Sequence, residues 1–348
     1  MRILNSEELK RYSRQIILPE IGLLGQQKLA GARVLVIGAG GLGCPILQYL
    51  AAAGIGNLGI ADDDLIELSN LHRQILYSTA DLGKFKAVTA REKLLLLNPA
   101  IEITCFTDRF TAENAVAICE GFDLVIDGSD NFETRYLCSD TCTTLGKALV
   151  FGSIFRFEGQ LAVFNYRGGP TYRDLFPEPP APGQAPNCSE TGVLGVLPGI
   201  LGSYMAGEAI KIICGIGEVL SGKLMRINIL DHSTQVFSFG RQIETADRPA
   251  EAISGNHALT PAGYQNLLQS SAADIYLIDV REEYEFEESN QGGVNIPLYD
   301  LPAKIGELPL NKILVFSCLS GQRSKIALEL VRPSYSGELY SLGTGSHS

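Results

Sequence analysis

VLVIGAGGLGCPILQYLAAAGIGNLGIADDD, residues 34–64, is a strand, a glycine turn, a helix and a second strand written end to end. Residues 34–37 are a short aliphatic run. Gly38, Gly40 and Gly43 follow at the spacing GxGxxG, and 44–53 is an apolar stretch of about three helical turns. Glycines so placed turn the chain sharply, let its backbone approach a phosphate, and pack the helix onto the strand. The helix start behind them offers unpaired N–H groups to an anion. Asp62 ends the second strand, where a carboxylate meets ribose hydroxyls. Alone, the fingerprint favours a nicotinamide or flavin dehydrogenase and does not name its nucleotide.

Outward from this unit the alternation continues. Helix 84–97 is stopped by Asn98-Pro99, and IEITCF (101–106), helix 111–120, FDLVIDG (122–128) and ALVFGSI (148–154) follow, which predicts a parallel sheet covered by helices. RFEGQLAVFNY (156–166) alternates as an antiparallel strand does, so the sheet becomes mixed. One or two helices precede the first strand, with Ser6 as the N-cap and Leu9, Tyr12, Ile16 and Ile17 as the apolar positions. The stretch 167–191 holds six prolines and no periodicity, the mark of a long functional loop. A helix over 192–214 and strands near 223–239 complete a unit, 241–257 reads as linker, and about ninety further residues form a second unit.

The chain has 348 residues, 45% of them hydrophobic, enough to bury two cores. Its 28 basic and 39 acidic residues, net −11, lack the footprint of a nucleic-acid binder. The apolar 192–217 stretch is broken by glycines and a proline and carries Glu208 and Lys211, so it reads as a buried helix, not a membrane span. Eight cysteines without framework spacing, and no apolar leader, point to free thiols in the reducing cytoplasm. Most lie in apolar segments as small buried hydrophobes. Cys188 and Cys318 stand in loops.

The flanks of the fingerprint carry charges that a dinucleotide site does not need. DDDLIELSNLHRQ (62–74), LGKFKA (82–87) and DGSDNFETR (127–135) supply Arg73 and Lys86 as a clamp for a triphosphate. Asp130, just past a strand end, suits Mg²⁺ held by one carboxylate and several waters. Any one of these is an ordinary surface charge. Their joint occurrence in this order is not.

With RYSRQIILPEIGLLGQQKL, GAGGLG, FEGQLAVFNY and CSETGVLGVLPGILG, these segments make residues 8 to about 240 resemble the ThiF/MoeB/HesA family of E1-like activating enzymes. The resemblance implies a Rossmann-like E1 fold, α/β with a mixed sheet. It implies that ATP is held by Gly38, Gly40, Gly41, Gly43, Asp62, Ser69, Asn70, Leu71, His72, Arg73, Lys86, Asp130 and Asn131. Arg14 would reach the phosphates of the other subunit in a homodimer, and the substrate would be the C-terminal glycine carboxylate of a ubiquitin-like sulfur carrier ending in Gly-Gly. For His72 a structural or surface role is an equal reading.

Cys188, ending the Pro-rich loop just before a helix, fits a nucleophile whose pKa a helix N-terminus lowers. The other reading is an inert loop thiol. The family's cysteine at this position has been given thioester or disulfide roles with the carrier. Many relatives bind structural zinc through two CxxC pairs, but TYRD (171–174) stands at the first and no cysteine lies between Cys214 and Cys318, so no zinc is expected.

LIDVREEYEFEESNQGGVNIPL and ILVFSCLSGQRSKIAL resemble a small α/β rhodanese-like domain, 258–348, joined by a linker at 246–257 to a first domain at 1–245. Cys318 ends a strand and opens a loop whose N–H groups, residues 319–324, would surround a persulfide. The four residues between Cys318 and Arg323 make a cradle smaller than a phosphatase loop, suited to sulfur. Asp279 and Arg281 are expected as scaffold. The family's His-Ile-x-Gly-Ala segment is replaced by SNQGGVNIP.

The reading is an enzyme that adenylates a sulfur carrier and passes it sulfur from a Cys318 persulfide, loaded by a donor such as a cysteine desulfurase, for molybdopterin or thiamin biosynthesis. An ATP-dependent tRNA-modifying dehydratase, an NAD-dependent oxidoreductase and a non-catalytic carrier-binding scaffold are the alternatives.

Overall fold

The structure, a computed structural model, describes residues 2–179, 192–241, 258–271, 274–298, 300–319 and 321–343. Strand β1 (Arg33–Ile37) lies between β2 (Asn57–Ala61) and β4 (Leu124–Asp127). With β3 (Glu102–Phe106) and β5 (Ala148–Phe155) they form a parallel array in the order β3-β2-β1-β4-β5. β6 (Glu158–Phe164), β7 (Lys223–Asn228) and β8 (Ser233–Ser238) extend the same sheet antiparallel to eight strands. The change of sense has a local cause. Two residues, Arg156 and Phe157, join β5 to β6, and a connection that short closes only an antiparallel pair.

Each parallel step needs a covering helix. α1 (Ser6–Arg11), α2 (Ser13–Ile16) and α3 (Gly22–Gly31) precede β1, α4 (Gly43–Ala53) follows it, and α5 (Lys86–Leu97), α6 (Ala115–Glu120) and α7 (Phe132–Thr144) lie between later strands. The first crossover after β1 runs outward to β2 and β3, and the chain then returns to β4 on the other side. The crevice at the carboxyl ends of β1 and β4 is therefore the switch point where α/β sheets bind ligands. β1 from Val34 to Ile37 is buried, as a strand covered on both faces must be.

α8 (Tyr172–Leu175) is one turn, and α9 (Val196–Cys214) is the long apolar helix. α9 is a core helix on one face: Leu197, Leu201, Met205 and Ala209 are buried with α4 and the sheet, and Gly202 lets it close on Pro45, where a Cβ would come within 2.5 Å. Its length and hydropathy would suffice for a membrane span.

Several boundaries differ from expectation. The first helix is capped by Asn5, not Ser6: Asn5 Oδ1 accepts the Glu8 N–H and Glu8 Oε2 accepts the Asn5 N–H, both at 2.9 Å. Three helices, not two, precede β1, and of the four apolar positions only Tyr12 is buried; Leu9 and Ile17 are exposed. α9 starts at Val196. Gly192 has φ +73° and Val193 bridges to Arg156, so residues 192–195 are not helical.

The second compact unit has a five-stranded parallel sheet, β11 (Val294–Asn295), β10 (Ile275–Asp279), β12 (Ile313–Cys318), β13 (Leu339–Gly343) and β9 (Ala258–Leu259) in spatial order. α10 (Pro261–Ser271), α11 (Glu283–Glu288), α12 (Leu301–Lys304) and α13 (Gln322–Val331) accompany it. Ile278, Leu314, Phe316, Ala327 and Val331 are in its main core. In the segment that departs from the rhodanese pattern, Gly293 has φ +85° and a Cβ there would meet the Leu277 carbonyl at 2.5 Å. Asn295 Nδ2 donates to the carbonyls of Asp279 (3.0 Å) and Arg281 (2.9 Å), fixing this edge by other means.

Candidate active sites

A cleft of about 380 Å³ opens at the switch point. Gly38, Gly40 and Gly41 form its floor, with the 11-residue α4 rising behind them. Gly38 has φ +87°, and a Cβ there would sit 2.9 Å from the Gly128 carbonyl. At Gly43 a Cβ would lie 2.0 Å from the Gly38 carbonyl. Gly43 thus builds the turn without lining the cleft. At Gly41 and Gly40 the nearest atoms are 3.3 Å (Pro198) and 3.5 Å (Gln74) away, so glycine there keeps the floor open.

On one side stand Asp62 and Lys86. Asp62 accepts the Ala39 N–H at Oδ2 (2.7 Å) and the Asp64 N–H at Oδ1 (3.0 Å). Burial pushes its carboxyl up to about 6, against the pull of Lys86 and these two donors. Lys86 is 6% exposed and donates to Asp64 Oδ2 at 2.6 Å. Asp64 itself is in solvent, so a stronger anion can take the ammonium from it. The Tyr77 hydroxyl, 2.9 Å from the Ala39 carbonyl and 3.2 Å from that of Lys86, fastens the start of α5 to the glycine turn. Buried Asp81 supports the same loop: it accepts from Ser78 and pairs with Lys84 and Lys93, partners that hold its carboxyl well below the usual range although burial opposes them.

Asn70, Arg73, Asp130 and Asn131 also line the cleft. Arg73 Nη1 donates to the Ser69 carbonyl (3.2 Å) and lies 2.9 Å from His72 Nε2. A guanidinium has no acceptor, so Nε2 carries the lone pair and the proton is on Nδ1. His72 thus orients Arg73. Asn131 caps α7 through the Thr134 N–H (2.9 Å), and Asp130 is exposed at the rim.

The structure gathers Gly38, Gly40, Gly41, Asp62, Asn70, Arg73, Lys86, Asp130 and Asn131 around one space. Ser69, Leu71 and His72 do not line it; Ser69 Oγ donates to Glu67. Arg14 lies in a separate hollow with Arg11, Tyr12, Gln15, Tyr49 and Ile210. The sequence reading missed Gln74, Arg109, Phe110, Ser129, Thr134 and Arg135, all of which line the cleft. Gln74, beside Arg73, is buried with Oε1 lacking a partner, an orphan that a ligand can satisfy. Arg109 and Phe110 had no motif, only their place past the carboxyl end of β3. Cys188 falls outside the described residues.

In the second unit Cys318 ends β12 and is 1% exposed. The Ser324 N–H points at its Sγ (3.3 Å), and Ser324 Oγ lies 3.6 Å from it. Gly321 has φ +82°, and a Cβ there would come within 3.4 Å of Gly343. Arg323 pairs with Glu285 through two contacts, 2.5 and 2.8 Å. Burial raises the Glu285 carboxyl, but Arg323 overrides it and the net shift is downward. Asp279 and Arg281 pair with each other, Nη2 to Oδ2 at 2.7 Å, and serve as scaffold.

Among known proteins, the ThiF family model matches residues 12–246 and the rhodanese-like domain model matches 260–345. The sulfur carrier protein adenylyltransferase of Thermus thermophilus is 52% identical over 232 residues, 65% of this chain and 86% of that protein. The adenylyltransferase and sulfurtransferase MOCS3 of Drosophila yakuba is 40% identical over 370 residues, 94% of this chain and 80% of that one. Escherichia coli MccB, at 22% identity, shares the fold with a TM-score of 0.63 over 73% of this chain and 77% of its own. The glycine-turn cleft, the cysteine at the end of a strand and the matches across both units agree: the chain belongs to the ThiF family and carries a rhodanese-like domain at its C-terminal end.

Proposed function

We propose that the first domain, residues 1–245, adenylates the C-terminal glycine of a ubiquitin-like sulfur carrier and that the second, 258–348, hands sulfur to the activated carbonyl. The observation that carries this is the gathering of Arg73, Lys86 and Asp130 over the glycine turn in one cleft. A hydride-transfer site would have no use for two cations and a rim carboxylate there.

In the reaction a carrier carboxylate oxygen attacks the α-phosphorus of ATP, the bond to the bridging oxygen breaks, and pyrophosphate leaves with the electron pair. The open floor at Gly40 and Gly41 admits the phosphates, α4 directs its first N–H groups at them, and Asp62 takes the ribose hydroxyls. Lys86, leaving Asp64, and Arg73, oriented by His72, balance the charge that grows on the leaving oxygen. A carboxylate nucleophile needs no general base. Mg²⁺ bound to phosphate would add a further positive charge. Its preference for one carboxylate and several waters fits exposed Asp130, and among the described residues no three His, Cys, Asp or Glu side chains converge as a closed cage.

A persulfide on Cys318 then attacks the acyl carbon and AMP leaves. The Ser324 N–H supports the anionic sulfur. Thiol attack on the acyl disulfide, assigned here to Cys188, releases the thiocarboxylate and leaves a protein disulfide. An external thiol reductant reopens that disulfide, an upstream persulfide donor then reloads Cys318, no structural zinc is needed, and the setting is the cytoplasm. The working form is a homodimer in which Arg14 of the partner subunit completes the phosphate clamp. Support for it is the exposed apolar surface on the N-terminal helices: Ile17 ends the helix that carries Arg14, Leu23 and Leu24 lie on α3, and Tyr49 shares the Arg14 hollow. Molybdopterin and thiamin synthesis are the candidate pathways.

The test is ATP–pyrophosphate exchange with Mg²⁺ and a panel of Gly-Gly-terminated carriers. Asp130→Ala should abolish exchange and spare sulfur transfer to a small acceptor; Cys318→Ala should do the reverse. Loss of both activities in either variant would defeat the two-site reading.

A further inference from the structure

Gln74 lines the cleft, is only 3% exposed, and has no part in the chemistry above. Its backbone is held on both sides. The Gln74 N–H donates to the Asn70 carbonyl (3.0 Å), and the Gln74 carbonyl accepts the Tyr77 N–H (3.1 Å). The Tyr77 hydroxyl in turn donates to the Ala39 carbonyl at 2.9 Å, so residue 74 is tied to the glycine turn. Its amide ends at the floor of the cleft: Nε2 lies 3.5 Å from where a Gly40 Cβ would stand. Oε1, at the other end, is buried without a hydrogen-bond partner.

A buried carbonyl oxygen without a partner destabilises a fold, and methionine, of similar length and without N–H or C=O groups, would fill such a slot free of that cost. A polar group kept in a cleft against stability points to a ligand. Its place says which part of the ligand. The Ala39 N–H bonds Asp62 Oδ2 at 2.7 Å, so the carboxylate that takes the ribose is fastened one residue before Gly40. The first phosphate beyond a ribose is the α-phosphate. Its oxygens only accept hydrogen bonds, so they call for the NH₂ end of the amide, which is the end at the floor. A methyl group on Gly40 would touch Nε2, and glycine leaves that approach open.

We propose that Gln74 is a phosphate-binding residue of the adenylation site: its Nε2 donates to a non-bridging oxygen of the α-phosphate, the group that the carrier carboxylate attacks. The contact holds from ATP through the acyl-adenylate to AMP, because the α-phosphate stays in all three. An amide also directs one hydrogen bond beside Arg73 and Lys86 without adding a third positive charge to theirs. The inference rests on the nucleotide-binding reading above.

Gln74→Met in the full-length protein tests it with two readouts. Without nucleotide, the transition of the first unit should melt a few degrees higher, since the orphaned oxygen is gone. In titration calorimetry ATP and AMP should both bind roughly ten- to a hundredfold more weakly, the worth of a hydrogen bond to a charged oxygen, while adenosine should bind both proteins alike. Gln74→Glu keeps the size, exchanges the donor for a carboxylate, and should bind ATP and AMP more weakly still. A melting temperature that falls or stays in Gln74→Met would make the residue scaffold and overturn the proposal. Unchanged affinity for ATP and AMP would overturn it too, and a raised KM for the carrier alone would then assign the amide to the carrier tail. Weaker ATP binding with AMP unaffected would move the contact to an outer phosphate and overturn it as well. If the wild type binds neither ATP nor AMP, the nucleotide reading falls and this inference with it.

Discussion

Replacing Lys86 by Met separates the two effects of its ammonium, because Met keeps the aliphatic stem in its buried slot and removes only the charge. The first effect is direct. A charge-assisted contact to phosphate is worth about 1.5–3 kcal/mol, so ATP should bind roughly ten- to a hundredfold more weakly. The second is indirect and carries a sign. Burial raises the Asp62 carboxyl to about 6 even with Lys86 as the largest opposing influence. Without Lys86 it should climb by roughly one unit more, an opposite charge nearby being worth that much at least. Ionised Asp62 accepts the Ala39 and Asp64 N–H groups and the ribose hydroxyls; protonated, it gives up part of that capacity. Binding should therefore weaken as pH falls through the Asp62 pKa, from near 6 in the wild type and from near 7 in the variant. Titration calorimetry with ATP and Mg²⁺ between pH 5.5 and 8.5 reads this as the ratio of the two dissociation constants, in which titration of the nucleotide cancels. The ratio should be smallest at high pH and grow as pH drops toward 6. A ratio independent of pH would refute the electrostatic link between Lys86 and Asp62.

Glycines 41 and 43 should separate site from scaffold: Gly43→Ala, forced against the Gly38 carbonyl, should cost several kcal/mol in denaturant unfolding, whereas Gly41→Ala should fold nearly normally and lose ATP affinity. Arg323→Ala strands the half-buried Glu285 carboxylate and should lower the stability of the second unit by about 1–2 kcal/mol at neutral pH. The wild-type Glu285 carboxyl is depressed on folding, so its pair stabilises above the ordinary glutamate range and is lost as pH falls through the folded value. Scanning calorimetry should find that acid-sensitive part of the transition missing in the variant. Leu24→Glu places a charge on the exposed apolar face of α3 and should yield monomers in light scattering, with pyrophosphate exchange lost because Arg14 no longer reaches a neighbour.

The fold was legible because its units are local and strongly patterned. The 34–37 run, the glycine turn and the apolar 44–53 helix specify one another within a few residues, and the alternation at 156–166 marked the change to antiparallel pairing. The cap at Asn5 was missed because Asn and Ser are nearly equal N-caps, and only the reciprocal bond to Glu8 decides between them. The start of α9 was placed too early because the apolar composition of 192–195 hides a glycine at positive φ. In the site, residues inside motifs were found and residues delivered by tertiary folding were not. Arg109 and Phe110 reach the cleft because β3 ends at the same edge as β1 and β4. Arg135 was quoted within its motif but not singled out, because one of the rings that hold it, Phe151, comes from strand β5.

The pairing of β9 with β13 joins Ala258 and Leu259 to Ser341 and Leu342. On the ribosome this sheet edge cannot close until about eighty further residues have been made, roughly 4–16 s at ordinary rates of synthesis. Cys318 is translated within that interval, before Gly343, its register partner on the neighbouring strand, exists to roof it. The thiol that ends deepest in its unit is therefore open to oxidants while the protein is being born, and the vulnerable period of this sulfur is set by the order of strands along the chain.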